Sequence, residues 1–228
     1  MRKTYLALLV LTGGLLSGNQ VVHASDPAHA EQSSVAPAEG ISRLKEGNGR
    51  YTNGNQQHPR QSSEEREKLT KNQHPFAIVL GCADSRVPPE TVFDQGLGDL
   101  FVVRVAGNVI DDQSLGSIEY AVDHLAVRLI VMLGHQRCGD VQAAKDMITA
   151  NGKAPGHIQS LVTAIQPAVE ATVQGDLEAT VRENVKNVVQ ALRSSAPVLK
   201  AKVDSGELKV VGAYYSLDTG SVAFPEEK

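Results

Sequence analysis

Short, continuously apolar runs alternate with longer amphipathic stretches through the central and C-terminal parts of this chain. Four of these runs predict strands, at 76–80, 100–105, 129–133 and 209–215. The runs are apolar at nearly every position rather than at every second one, as in a parallel sheet that is covered on both faces. The pattern therefore predicts an α/β fold with a mostly parallel central sheet flanked by helices.

Apolar residues at helical spacing, together with turn residues, predict helices between and before the strands. The predicted helices are 41–53, 63–72, 114–125, 140–150, 157–173 and 177–193. We expect Pro167 to interrupt the fifth of them. The first two have little apolar surface, so they predict an N-terminal helical arm that lies across another part of the molecule or a neighbouring subunit. Thr219 and Gly220 are expected to turn the chain into a short last strand that runs to Phe224.

The N-terminus has the pattern of an export signal. Arg2 and Lys3 precede an apolar run at 6–16, which is of signal-peptide length and short for a membrane span. We expect cleavage after Ala24, which makes residues 1–24 a signal peptide and the mature protein periplasmic or secreted. Residues 25–40 are rich in Ala, Ser, Glu and Pro and predict a disordered linker. Residues 41–228 are then a single domain.

The composition excludes some classes of partner. The chain has 228 residues, of which 41% are hydrophobic and 4% aromatic, with no tryptophan, so its core must be built from aliphatic side chains. Its formal net charge of −4 gives no reason to expect binding to nucleic acid. After signal cleavage we expect no association with a membrane.

The two cysteines stand beside other residues that can do chemistry. Cys82 directly follows the apolar run at 76–81, and Cys138 comes three residues after His135 at the end of another run. In an oxidising compartment two cysteines can form a disulfide, and this alternative stays open on cysteine count alone. Two thiolates and one imidazole are also a three-ligand set for Zn²⁺ that leaves one position free, as in catalytic zinc sites. Because parallel sheets bind ligands at the carboxyl ends of their strands, the fold places these residues suitably for one zinc ion per chain.

Asp84 and Arg86 lie two and four residues after Cys82. A carboxylate here can accept a hydrogen bond from a water molecule at the metal, and an arginine can hold that carboxylate ionised. The alternative interpretation is a structural ion pair that braces the loop.

These motifs resemble the paired signatures of the β-class carbonic anhydrases. The resemblance rests on Cys-Ala-Asp-Ser-Arg at 82–86 and His-Gln-Arg-Cys-Gly at 135–139, and continues through 101–108 and 117–120. It implies reversible hydration of CO₂ to bicarbonate and a proton. It also implies a zinc ion on Cys82, His135 and Cys138, with Asp84 and Arg86 as the catalytic pair.

The resemblance further implies a substrate pocket at a subunit interface. Residues matching the family's pocket are Gln73, Phe101 and Tyr120, and their presence implies a homodimer or a dimer of dimers. Without the resemblance, Phe101 and Tyr120 are equally well explained as packing residues. Relatives with the same ligand set hydrolyse carbonyl sulfide or carbon disulfide, so that chemistry is an alternative. A zinc-binding or redox protein without catalytic activity is another.

The chain differs from those family members that bind bicarbonate at a second, inhibitory pocket. Where they have a tryptophan, this chain has Val79, although Arg104 and Tyr215 match the other two pocket residues. The resemblance is therefore to the plant-type subgroup with an open active site. We expect Asp84 to stay paired with Arg86 at neutral pH.

Overall fold

The structure is a computed structural model that describes residues 35–224. Five strands form one sheet in the order β2-β1-β3-β4-β5, with β1 to β4 parallel and β5 antiparallel to β4. The strands are β1 (Ala77–Gly81), β2 (Leu100–Arg104), β3 (Leu129–His135), β4 (Lys209–Tyr215) and β5 (Val222–Ala223). The predicted α/β class and the mostly parallel sheet are confirmed. The short last strand after Gly220 is also confirmed.

Eight helices lie before and between the strands of the described part of the chain. They are α1 (Pro37–Thr52), α2 (Ser63–Lys68), α3 (Pro89–Val92), α4 (Asp112–His124), α5 (Gly139–Thr149), α6 (Ile158–Ala171), α7 (Leu177–Ser194) and α8 (Val198–Asp204). The two short helices α3 and α8 were absent from the predicted pattern. Among the described residues, no helix is both long and apolar enough to span a bilayer.

Two sequence-based boundaries need correction at the N-terminal side. Helix α1 begins at Pro37, so the last four residues of the predicted linker are helical. A proline in the first turn of a helix costs nothing, because its missing N–H has no partner there. Helix α2 is shorter than predicted and ends at Lys68, and the Ser62 side chain caps its N-terminus. The predicted signal peptide and the linker residues up to 34 lie outside the described residues.

The predicted interruption at Pro167 is wrong, because α6 continues through it. Proline removes one hydrogen bond to the carbonyl of Thr163, and both residues lie on the exposed side of the helix. Ile165 and Ala168 on the other side are fully buried and hold the helix against its neighbours.

Apolar side chains cover both faces of the sheet. On one face α4, α7 and α8 pack against alternate strand residues such as Ile78 and Ile130. On the other face α1 buries Leu44 completely against a cluster that includes Val79 and Val131. Helix α1 therefore lies across another part of the molecule, which is one of the two predicted positions of the N-terminal helical arm, whereas α2 buries no residue.

Two glycines let α7 approach the sheet closely. A Cβ atom on Gly134 would lie 2.4 Å from Val185 Cγ2, and one on Gly212 would lie 2.8 Å from Val185 Cγ1. Val185 of α7 thus lies in a notch between β3 and β4. Gly134 directly precedes His135, so this close packing fixes the helix beside the candidate site.

Candidate metal centre

Three potential ligands converge at the carboxyl ends of β1 and β3. Cys82 directly follows β1, His135 is the last residue of β3, and Cys138 directly precedes α5. All three side chains are buried, and their ligand atoms lie within 4.8 Å of one another. The fold thus brings together the two sequence motifs as predicted.

The arrangement fits a tetrahedral metal ion. His135 Nδ1 lies 3.0 Å from the carbonyl oxygen of Gln136 and donates to it, because a carbonyl can only accept. This fixes the tautomer and leaves a lone pair on Nε2, which is buried and has no hydrogen-bond partner among the described residues. Zinc with thiolate and imidazole ligands keeps the ligand atoms about 3.5–4 Å apart. The cluster therefore has the donors and the unpartnered nitrogen that a Zn²⁺ site needs, and its ligand atoms are close enough together to reach one ion.

The two sulfur atoms interact with each other and with a carboxylate. Both cysteines are free. A hydrogen bond from the Cys138 thiol lowers the pKa of Cys82 to about 3, and the same contact raises the pKa of Cys138. Asp140 Oδ2 lies 3.4 Å from Cys82 Sγ, and burial raises the pKa of this carboxyl. The sequence analysis did not single out Asp140, because an acidic residue near the start of a helix is ordinarily explained by its favourable interaction with the helix dipole.

Asp84 and Arg86 form a bidentate pair beside the cluster. Arg86 Nε donates to Asp84 Oδ1 at 2.9 Å and Arg86 Nη2 donates to Oδ2 at 2.6 Å. The hydrogen bond from the Arg86 side chain is the main cause that lowers the pKa of Asp84 to about 2. Asp84 Oδ2 lies 3.9 Å from His135 Nε2. The carboxylate is therefore ionised, fixed by Arg86 and placed next to the metal position.

Arg104 supports the loop that carries this pair. Its Nε donates to the carbonyl of Cys82 at 2.9 Å, and its Nη2 donates to the carbonyl of Asp84 at 2.6 Å. Tyr215, the other residue that matches the family's second bicarbonate pocket, pairs its hydroxyl with that of Tyr51 at 3.1 Å. The Arg104 guanidinium and the Tyr215 hydroxyl thus both form hydrogen bonds within the chain.

The turn between His135 and Cys138 is held by residues that sequence reasoning missed. The backbone N–H of Arg137 donates to Glu178 Oε1 at 3.0 Å, and Asp218 accepts two hydrogen bonds from the Arg137 guanidinium. Glu178 and Asp218 come from α7 and from the loop before β5. No motif or spacing in the sequence connects them to the ligands.

The three predicted pocket residues do not all meet within one subunit. Phe101 and Tyr120 are neighbours, with ring centroids 6.5 Å apart, and Tyr120 remains 46% exposed. Gln73 is exposed and lies just before β1, whereas Cys82 follows the opposite end of that strand. The length of β1 therefore separates Gln73 from the ligand cluster of the same chain.

Comparison with known proteins connects this geometry to a family. The family model described as Carbonic anhydrase matches residues 77–222. "Carbonic anhydrase 2" of Mycobacterium tuberculosis is 44% identical over 180 residues, which cover 78% of this chain and 87% of that protein.

Solved structures of β-carbonic anhydrases have the same fold as this chain. The β-carbonic anhydrase CcaA superposes with a TM-score of 0.66 at 25% identity, covering 82% of this chain and 95% of that one. One of two tetrameric β-carbonic anhydrases from Sordaria macrospora gives a TM-score of 0.62 at 25% identity, covering 82% and 96%.

Proposed function

The chain belongs to the β-carbonic anhydrase family and is a carbonic anhydrase, and from this premise we propose that it hydrates CO₂ reversibly with Zn²⁺ held by Cys82, His135 and Cys138. One observation carries the metal assignment. The Nε2 atom of His135 is buried without a hydrogen-bond partner among residues 35–224, and it faces two sulfur atoms within 4.8 Å. A buried polar atom without a partner is costly, and coordination to a metal removes that cost.

A bound zinc ion would supply Lewis-acid chemistry that lets a water molecule ionise near neutral pH. The protein's part is to hold the ligands and to exclude solvent. Cys82, His135 and Cys138 are all at most 1% exposed, so the ligand atoms lie in a medium where electrostatic interactions are strong.

Asp84 orients the attacking water in this proposal. Its Oδ2 atom lies beside the metal position and can accept a hydrogen bond from that water molecule. Arg86 keeps the carboxylate ionised and fixed through two charge-assisted hydrogen bonds. A fixed acceptor selects the orientation of water in which a lone pair faces CO₂, so less reorganisation is needed in the transition state.

We propose that the substrate pocket is completed by a second copy of the chain. Phe101 and Tyr120 form an aromatic pair whose tyrosine is half exposed. Gln73 lies at the other end of β1 from the ligands, so a partner subunit is the simple way to bring it to a metal centre. The relative from Sordaria macrospora is described as tetrameric. A homodimer or a dimer of dimers follows as the proposed assembly, with CO₂ and bicarbonate as the small-molecule partners.

We also propose that the protein is exported and acts in the periplasm or outside the cell. The support is the positively charged start of the chain, the apolar run at 6–16 and the small residue at Ala24.

The test of the proposed activity combines metal content with a CO₂ assay. Elemental analysis of the purified protein should give one zinc per chain, and stopped-flow CO₂ hydration should show catalysis. Cys82→Ser and His135→Ala should lose zinc and activity together, because a hydroxyl or a methyl group cannot replace these ligands. His157→Ala, which changes an exposed histidine before α6, is the matched control and should retain both. Native protein with a Cys82–Cys138 disulfide and no zinc would contradict the metal assignment. Turnover of carbonyl sulfide or carbon disulfide without CO₂ hydration would contradict the substrate.

A further inference from the structure

The turn that separates two of the proposed ligands contains a conformationally unfavourable residue. Arg137, between His135 and Cys138, has φ 51°, in the left-handed region that residues other than glycine rarely adopt. This conformation reverses the chain within three residues, so that His135 at the end of β3 and Cys138 at the start of α5 can face the same point. Something must hold Arg137 there, since the relaxed conformation would move Cys138 relative to His135.

Contacts from three different parts of the fold hold Arg137. Its N–H donates to Glu178 Oε1 at 3.0 Å, and its carbonyl accepts from Arg86 Nη2 at 3.3 Å. Its guanidinium makes hydrogen bonds of 3.1 and 2.7 Å with the two oxygens of Asp218. The guanidinium contact is an exposed ion pair, which contributes little because solvent screens it. The two backbone contacts define the conformation of the peptide units themselves.

Glu178 is the better placed of the two backbone partners to act as a fixed point. It lies in the first turn of α7, and its Oε2 atom is buried and has no partner in the described range. Helix α7 is itself fixed on the sheet, because Val185 lies in the notch formed by Gly134 and Gly212. A rigid helix therefore presents a carboxylate oxygen to the one strained peptide of the chelating turn.

We propose that Glu178 is a positioning residue for the metal centre: its carboxylate holds the N–H of Arg137 and thereby keeps His135 and Cys138 in chelating geometry. The same turn accepts a hydrogen bond from Arg86, so Glu178 also steadies the arginine that fixes Asp84. This inference rests on the proposed zinc site and adds to it a residue from a distant helix. Groups that orient metal ligands from outside the coordination sphere commonly change metal affinity by about 10–100-fold when removed.

The experiment measures zinc release from the intact holoenzyme. Wild type and Glu178→Ala are mixed with an excess of a chromophoric chelator, and the release rate is recorded. We expect release about tenfold faster from Glu178→Ala, the lower end of that range, because Glu178 acts through the backbone. The cobalt-substituted proteins give a second readout: the visible absorption bands of Co²⁺ should shift or broaden in Glu178→Ala, since they report the ligand geometry.

Two variants separate positioning from a general effect on the helix. Glu178→Gln keeps an oxygen acceptor for the N–H of Arg137, so it should restore slow release and the wild-type cobalt spectrum. It loses the negative charge that favours a helix N-terminus, so restoration would show that this charge is not what matters. Glu183→Ala removes a carboxylate from the same helix that pairs with Lys186, and it should behave as wild type. Circular dichroism checks that each variant is folded.

The outcomes are distinct. Equal release rates and spectra for wild type and Glu178→Ala would overturn the proposal, and so would a Gln variant that behaves like the Ala variant. If the wild-type protein itself binds no zinc, the metal assignment fails and this inference fails with it. If wild type binds zinc and hydrates CO₂ but Glu178 has no effect, only the positioning role is refuted.

Discussion

Replacing Gly134 by alanine should destabilise the protein through a steric conflict with α7. The added Cβ atom would lie 2.4 Å from Val185 Cγ2, whereas ordinary contacts begin at 3.4 Å, so the Val185 side chain, its helix or the strand must shift by about 1 Å. Forcing one methyl group into a well-packed core costs about 1–3 kcal/mol. For a domain of this size each kcal/mol lowers the melting temperature by about 2–4 °C, so we expect a decrease of about 2–12 °C.

The assay is thermal and chemical denaturation of the zinc-loaded protein, with Gly49→Ala as the matched control. Gly49 lies inside α1, and a Cβ atom there would have no neighbour within 4 Å. The same substitution should therefore stabilise the protein by about 0.4–1 kcal/mol, because alanine loses less backbone entropy on folding than glycine. The same glycine-to-alanine substitution is thus expected to destabilise the protein at Gly134 and to stabilise it at Gly49. The double variant Gly134→Ala/Val185→Ala should regain part of the loss, since the smaller side chain leaves room for the new methyl group. A Gly134→Ala protein as stable as wild type would refute the claim that Val185 leaves no room for a methyl group at Gly134. A double variant with fully additive losses of stability would refute it as well.

Three further predictions concern catalysis and maturation. Asp84→Asn should keep zinc but lower kcat/KM by about 10²–10⁴-fold in stopped-flow assays, because it removes a positioned acid–base partner; wild-type activity would exclude that role. Arg86 holds the pKa of Asp84 at about 2, so the stability from this pair is complete above the ordinary value of 3.8 and is lost only as pH falls toward 2. Because Asp84 stays ionised, the pH–rate profile should rise through one ionisation across neutral pH, and a slope above one proton would contradict this. Because Val79 replaces the tryptophan of the second pocket, we expect no bicarbonate inhibition. N-terminal sequencing of exported protein should begin at Ser25, and a full-length chain retained in membranes would argue against cleavage.

The central sheet was predictable because its strands are buried on both faces. Continuous apolar runs that alternate with helical patterns are best explained as strands of a parallel sheet covered on both faces. All four predicted parallel strands are present in the structure. The short helices α3 and α8 were not predictable, since four and seven residues carry too little periodicity. The predicted interruption at Pro167 was wrong because propensity describes an isolated helix, whereas the packing of Ile165 and Ala168 decides the outcome in the folded chain.

The clustering of Cys82, His135 and Cys138 and the ion pair between Asp84 and Arg86 follow from local motifs, because each motif lies within five consecutive residues. Glu178 was not predictable in this way, since its role depends on where α7 begins in space and on the left-handed conformation of Arg137. The proposed pocket residues are an intermediate case: Phe101 and Tyr120 are neighbours, whereas the length of β1 separates Gln73 from the ligand cluster of the same chain.

The separation of the proposed ligands along the chain has a consequence for how much folded protein a cell can keep. His135 lies 53 residues after Cys82. Closing such a loop in an unfolded chain costs about 3.5 kcal/mol of entropy, so the unfolded state has no competing site of comparable affinity. A zinc ion at the proposed site would then bind almost exclusively to the native state, and by mass action a free concentration 100 times the Kd would add about 2.7 kcal/mol of stability. The supply of zinc would therefore regulate not only how active each molecule is but also how many molecules survive proteolysis.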